Sequence, residues 1–199
     1  MKKFHSLLAI LTIAGVTAAK AAITDAPQWT VNPSDYQYDM TTYISVSLDG
    51  KGNVLADYSN LKVAAFVGDE CRGVAEFASK SGYNYGYLRI YSNVADGETV
   101  TFRAYDSTSG REMNYTPSQS LSFTSQGLQG MPSTPFLLST VLGDADNDGK
   151  ITISDVTCLI DLYLGSEDIE YNPYLVDMDS DGNLTIADVT SLIDAYLAS

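Results

Sequence analysis

Residues 143–155 read GDADNDGKITISD, from Gly143 to Asp155, and residues 176–188 read VDMDSDGNLTIAD, from Val176 to Asp188. Each stretch alternates aspartate with an uncharged residue, sets a glycine after the third aspartate and closes on a fourth. A solvated acidic turn needs neither strict alternation nor a second copy. Aligned without a gap, residues 143–165 and 176–198 are identical at 14 of 23 positions.

Carboxylates packed this closely repel one another unless a cation sits among them. Ca²⁺ is a hard ion that takes 6–8 oxygens, and a 12-residue loop supplies them from positions 1, 3, 5, 7, 9 and 12. In the first loop those positions are Asp144, Asp146, Asp148, Lys150, Thr152 and Asp155. In the second they are Asp177, Asp179, Asp181, Asn183, Thr185 and Asp188. Position 7 binds through its backbone carbonyl, so Lys150 is acceptable there. Gly149 and Gly182 occupy position 6, where a sharp turn suits a residue without Cβ. Ile151 and Leu184 follow, apolar residues able to tuck between paired loops. Two Ca²⁺ ions are therefore expected.

A helix is expected after each loop. Val156, Leu159, Ile160, Tyr163 and Leu164 form one apolar stripe, and Val189, Leu192, Ile193, Tyr196 and Leu197 repeat it. Neither stripe can be buried by one short helix, so the two copies are expected to pack together. The residues before Asp144, MPSTPFLLSTVLG, carry prolines and β-type side chains and make no entering helix. Position 12 is Asp, not Glu, in both loops. The unit is a loop–helix half of an EF-hand, used twice.

On these residues the segment 143–199 resembles a type I dockerin. The resemblance implies a calcium-dependent module that docks onto a cohesin domain of another extracellular protein, with two alternative binding faces from the near-twofold repeat. It departs at the partner-facing positions. Best-known dockerins carry a Ser-Thr pair late in each loop and basic residues on the following helix. Here the pairs are Ile153-Ser154 and Ile186-Ala187, and the helices carry Asp161 and Asp194 without Lys or Arg. A cohesin-like partner would meet a different face.

Working outward, the charge changes abruptly. Residues 22–142 hold 12 acidic and 7 basic residues, whereas residues 143–199 hold 13 acidic residues and only Lys150. Such a shift marks a domain boundary. Upstream of it, YISVSL (43–48), LKVAAFVGDE (61–70), CRGVAEFA (71–78), YGYLRIYSN (85–93), ETVTFRAYD (98–106) and SLSFTS (120–125) are strand-like runs separated by turn residues. Short strands at regular spacing suggest a β-sandwich. The fold class expected is two-domain, an all-β sandwich over residues 22–140 followed by a small α pair of calcium-loop–helix motifs over 141–199. A last edge strand and a short link are expected within GLQGMPSTPFLLSTVLG.

Residues 1–21 have the layout of a secretory signal peptide. Lys2 and Lys3 precede an apolar run from Leu7 to Val16, and Ala19-Lys20-Ala21 offers a small-residue cleavage site. The run is too short to span a membrane, and no later segment is long enough, so no membrane insertion is expected. A secreted, extracellular or surface protein follows. Cleavage near Ala21 removes His5, the only histidine, and with it His-based triads and His-ligated zinc. It also removes three of the 11 basic residues, leaving 8 against 25 acidic ones. Nucleic acid and anionic lipid bind through Lys and Arg, so neither is an expected partner.

The sandwich offers fewer signals. Tyr83, Tyr85, Tyr87 and Tyr91 surround one β-turn, with several rings on one face. Such rings stack on sugars, but tyrosine also packs on half-buried strands, and packing or a partner contact is the readier reading. Trp29 reads as an anchor under the sandwich edge. Asp69-Glu70 looks like a turn and Glu76 an outward strand position, which makes a poor carboxylate pair for glycoside hydrolysis. No enzyme is expected. Cys71 and Cys158 read as two separate thiols, although secretion permits a disulfide. Trp29-Thr30-Val31 with AAFVGDECRGVAEF (64–77) is similar to a β-module of secreted proteins from anaerobic gut bacteria. The expectation is a non-catalytic adaptor whose calcium-loaded tail docks a protein partner. The alternative is a glycan- or surface-binding sandwich with a structural tail packed on it.

Overall fold

The computed structural model describes residues 26–108, 110–115, 121–146, 148–166, 169, 171–172 and 175–198. The segment read as a signal, 1–21, lies outside them. In chain order the strands are β1 (Tyr38–Ser47), β2 (Leu61–Val67), β3 (Glu70–Val74), β4 (Glu76–Lys80) and β5 (Tyr83–Ser92). Then come β6 (Asp96–Asp106), β7 (Arg111–Tyr115), β8 (Leu121–Thr124), β9 (Leu128–Gln129) and β10 (Phe136–Ser139). Two helices follow, α1 (Ile153–Tyr163) and α2 (Ile186–Ala198).

Alternation of apolar and polar residues builds two sheets. One runs β10-β1-β5-β4 with β9 also on β1, and the other runs β3-β2-β6-β7 with β8 on β6. Ile44 and Val46 of β1, Leu88 and Ile90 of β5 and Leu138 of β10 point inward from the first. Val63 and Ala65 of β2, Phe102 and Ala104 of β6 and Phe123 of β8 belong to the same cluster from the second. The chain therefore forms a β-sheet-rich sandwich with a small helical part after it. β10 lies parallel to β1 at the sheet edge, as its proline-flanked sequence suggests.

Two details differ from the sequence reading. CRGVAEFA is not one strand: β3 pairs with β2 in one sheet, and after Ala75 the chain enters the other as β4 on β5. At this corner a Cβ on Gly73 would come within 2.2 Å of the Arg89 carbonyl oxygen, so the close approach requires glycine. β7 falls on REMNY, which shows no apolar alternation, and it forms by pairing along β6 from Phe102–Tyr115 to Asp106–Arg111.

The helices share a second core that has no residue in common with the first. Val156, Leu159 and Leu162 of α1 meet Val189 and Leu192 of α2, with Ile151 and Leu184 packed against them from the loops. The helical stripe is narrower than expected. Tyr163, Leu164 and Leu197 are exposed, and Leu162 and Cys158 are buried instead. α1 ends at Tyr163, and its inward face is carried by Val156, Leu159 and Leu162.

Candidate metal centre and aromatic face

Both acidic loops fold around their first aspartate. Asp144 accepts hydrogen bonds from the backbone N–H of Asp148 at 2.9 Å and of Gly149 at 2.8 Å. Asp177 accepts from Asp181 at 3.2 Å and from Gly182 at 2.9 Å. The second aspartates repeat as well, Asp146 accepting from the N–H of Asp148 at 3.2 Å and Asp179 from that of Asp181 at 3.1 Å. Gly149 and Gly182 have φ of 89° and 84°, a left-handed conformation that permits the turn and favours glycine.

The closing aspartates join loop to helix. One oxygen of Asp155 accepts from the Thr152 N–H at 2.7 Å and the other from the Asp146 N–H at 3.1 Å. One oxygen of Asp188 accepts from the Thr185 N–H at 2.7 Å and the other from the Met178 N–H at 2.8 Å. Thr152 and Thr185, expected as ligands at position 9, act as helix N-caps here. Their hydroxyls accept from the N–H of Ser154 and Ala187, each at 3.1 Å. The first set is a capping box. Its signal, Thr-x-x-Asp before an apolar run, is present in both copies and is missed when these residues are read as ligands alone.

Carboxylate oxygens of Asp144, Asp146 and Asp148 lie within 4.8 Å of one another, as do those of Asp177, Asp179 and Asp188. Each triad can hold a metal ion. Asp155 and Asp181 stand outside them, Asp155 turned to Thr152 and Asp146, and Asp181 accepting from the Asn183 N–H at 2.7 Å. Lys150 is exposed, and its N–H donates to Asp148 at 2.9 Å. Burial, with Asp155 and Asp148 close by, pushes Asp144 up to about 6 despite the two backbone donors. Burial and Asp155 also raise Asp146. Burial works against Asp188 too, but N–H groups of Thr185, Met178 and Asp179 outweigh it and hold this carboxyl below its usual range. The all-oxygen donor set suits a hard divalent cation such as Ca²⁺, and a bound cation relieves the mutual repulsion.

The two cysteines are not bonded to each other. Cys71 and Cys158 are unpaired, and burial raises both, Cys158 to about 11 with Asp146, Asp155 and Asp161 nearby. Of the sandwich carboxylates, Asp69 is engaged with Arg103 at 2.8 Å, and Glu70 with Arg72 at 3.1 Å and the Tyr36 hydroxyl at 2.6 Å, while Glu76 is exposed on β4.

The four tyrosines all project from the outer face of β5, but not as one cluster. Tyr85 and Tyr87 make edge contacts with Tyr43 of β1, at ring separations of 5.4 and 5.6 Å. Tyr91 stacks with Tyr36 at 6.1 Å, and Tyr83 is exposed at the hairpin end. Trp29 packs edge-on against Phe66 of β2, with ring centroids 5.7 Å apart, and this contact anchors the segment that precedes β1. Among the described residues no helix is long and apolar enough to cross a membrane. In comparison with known proteins, the chain matches no protein family, no curated protein and no solved structure.

Proposed function

We propose that this is a secreted, non-catalytic modular protein whose tail, of dockerin type, binds two Ca²⁺ ions and docks a protein partner while presenting the sandwich. The observation that carries the reading is the duplicated hydrogen-bond scheme: in both loops the first aspartate accepts from the same two backbone donors, and each loop gathers three carboxylates within 4.8 Å of one another, although the third is Asp148 in the first loop and the closing Asp188 in the second. Ca²⁺ supplies the positive charge at those points. Asp144, Asp146 and Asp148 would hold one ion and Asp177, Asp179 and Asp188 the other. Asp155 and Asp181 complete the loops, the backbone carbonyls of Lys150 and Asn183 serve at position 7, and Thr152 and Thr185 fix the helix starts.

Exposed apolar residues at equivalent places favour a protein partner. Ile153 and Ile186 are each 58% exposed, and Leu164 and Leu197 are 73% and 75% exposed. A cohesin-type or related partner can then engage either copy. The test is capture of proteins from the source organism's culture medium and surface by the full chain, with calcium or with chelator. One protein is expected to bind only with calcium. It is retained by Leu164→Asp or Leu197→Asp alone and released by the pair. Capture indifferent to calcium and to the double variant would refute docking through the tail.

A second reading, a structural tail, has one observation in its favour. The loop 49–53 of the sandwich reaches toward the second acidic loop, where Lys51 Nζ donates to Ser180 Oγ. The Gly50 N–H donates to Thr140 Oγ1 at 3.1 Å beside it. Loss of docking in the test above, with the tail still calcium-dependent, would favour this reading.

A further inference from the structure

We infer that a groove on the sandwich, between residues 29–33 and the outer face of β5, binds a neutral polysaccharide chain. The groove encloses about 530 Å³ and is lined by Trp29, Val31, Glu76, Tyr87, Arg89 and Tyr91 among others. That volume falls in the usual range for small-ligand clefts. Its wall is fixed independently of any ligand: Lys62 donates to the Pro27 carbonyl at 2.6 Å and lies 5.8 Å from the Trp29 ring centre.

Tyr87, Arg89 and Tyr91 are alternate residues of one strand, so they stand in a row about 13 Å long. A linear ligand along β5 meets ring, guanidinium and ring in turn. The rings offer flat faces to the C–H face of a sugar. Arg89 is held against Asp39 at 3.0 Å and keeps further N–H donors for hydroxyls, while Glu76, opposite Tyr87 on the neighbouring strand β4, accepts. Tyr91 is steadied by the ring of Tyr36, whose hydroxyl is tied to Glu70 at 2.6 Å. Rigid aromatic side chains lose little conformational freedom on binding.

Charge and backbone select the ligand class. Arg89 is paired with Asp39, Glu76 lines the same groove, and the chain carries a formal net charge of −14, which disfavours anionic polymers. An extended peptide takes its affinity from a free sheet edge. The floor here is the face of a sheet whose backbone is paired with β1. Tyr83 and Tyr85 lie outside the groove lining, which narrows the sequence expectation from four tyrosines to two.

Trp29 is the only tryptophan and lines the groove, so its fluorescence reports occupancy. The full chain with calcium is titrated with cellohexaose, xylohexaose and mannohexaose. At least one is expected to give a saturable change, also seen in chelator. Tyr87→Ala and Arg89→Gln are each expected to weaken it about tenfold, and Tyr83→Ala to leave it unchanged. Arg89→Gln keeps the test decisive if Tyr87→Ala does not fold. No saturable change with any of the three sugars overturns the inference. So does tighter binding of a neutral Gly-Ser peptide, or an equal loss in Tyr83→Ala.

Discussion

In the sandwich, Ile44, Leu88, Phe102 and Phe123 are sealed between two sheets in a cluster of apolar and aromatic residues. In the tail, Asp155 and Asp188 are as completely buried as Leu159 and Leu192. The first region is held by removing apolar surface from water, which needs nothing from solution. The second sets carboxylates beside a small apolar core, and buried charge is costly unless it is hydrogen-bonded and paired. Backbone N–H groups supply the hydrogen bonds. On the proposed reading a cation supplies the pairing, so the two regions should respond differently to the same changes in conditions.

Removing calcium from the full chain is the strongest test of that contrast. With free calcium at 100 times the dissociation constant, each site adds about 2.7 kcal/mol, so two sites add about 5 kcal/mol to a unit of marginal size. We expect chelator to abolish the helical circular dichroism of α1 and α2 and to lower one of two calorimetric transitions. The β-sheet signal and the other transition should stay. Two transitions moving together by the same amount would show that the regions fold as one.

Core substitutions sharpen the comparison from the other side. Phe123→Ala should cost about 3–5 kcal/mol in the sandwich, and Leu192→Ala about 2–5 kcal/mol in the tail. Each should move only its own transition in calorimetry, because the two clusters share no residue. A Phe123→Ala protein that has lost its calcium-sensitive transition would break the contrast.

The same contrast governs what could be read in advance. The acidic loops were legible in part because their period is local: Asp144, Asp146 and Asp148 meet within five residues and glycine marks the turn, whereas the joining of Asp188 to Asp177 and Asp179, and the capping role of Thr152 and Thr185, depend on how the loop meets its helix. The inward rows of β1 and β5 were legible from alternation. The sheet switch at Ala75 was not, since CRGVAEFA keeps strand character on both sides of it and only the packing of Gly73 on Arg89 fixes the corner. The exposure of Tyr163, Leu164 and Leu197 was hidden too, because 3.6-residue spacing says which residues align but not which of them the rest of the chain covers. Likewise the groove joins Trp29 to β5 across nearly 60 residues, a distance that no local pattern encodes.

The smallest expected effect concerns the contact between the regions. Burial pushes Asp49 up, but hydrogen bonds from the Ser47 hydroxyl, the Lys51 N–H and Asn53 hold its carboxyl down to about 2. Its folded value lies below the ordinary 3.8, so the order it gives loop 49–53 is present above about pH 4 and is lost as pH falls through about 2. The Lys51 amide resonance should therefore titrate near pH 2, with calcium-loop effects kept apart by following the same signal in Asp49→Asn. Above that range Lys51 is held in place to meet Ser180, yet the pair is exposed, and exposed polar contacts contribute little. Lys51→Ala should then shift neither thermal transition by more than about 0.5 kcal/mol. A larger shift, confined to the calcium-sensitive transition, would mean that the sandwich braces the second loop, and the balance would tip from a docking tail toward a structural one.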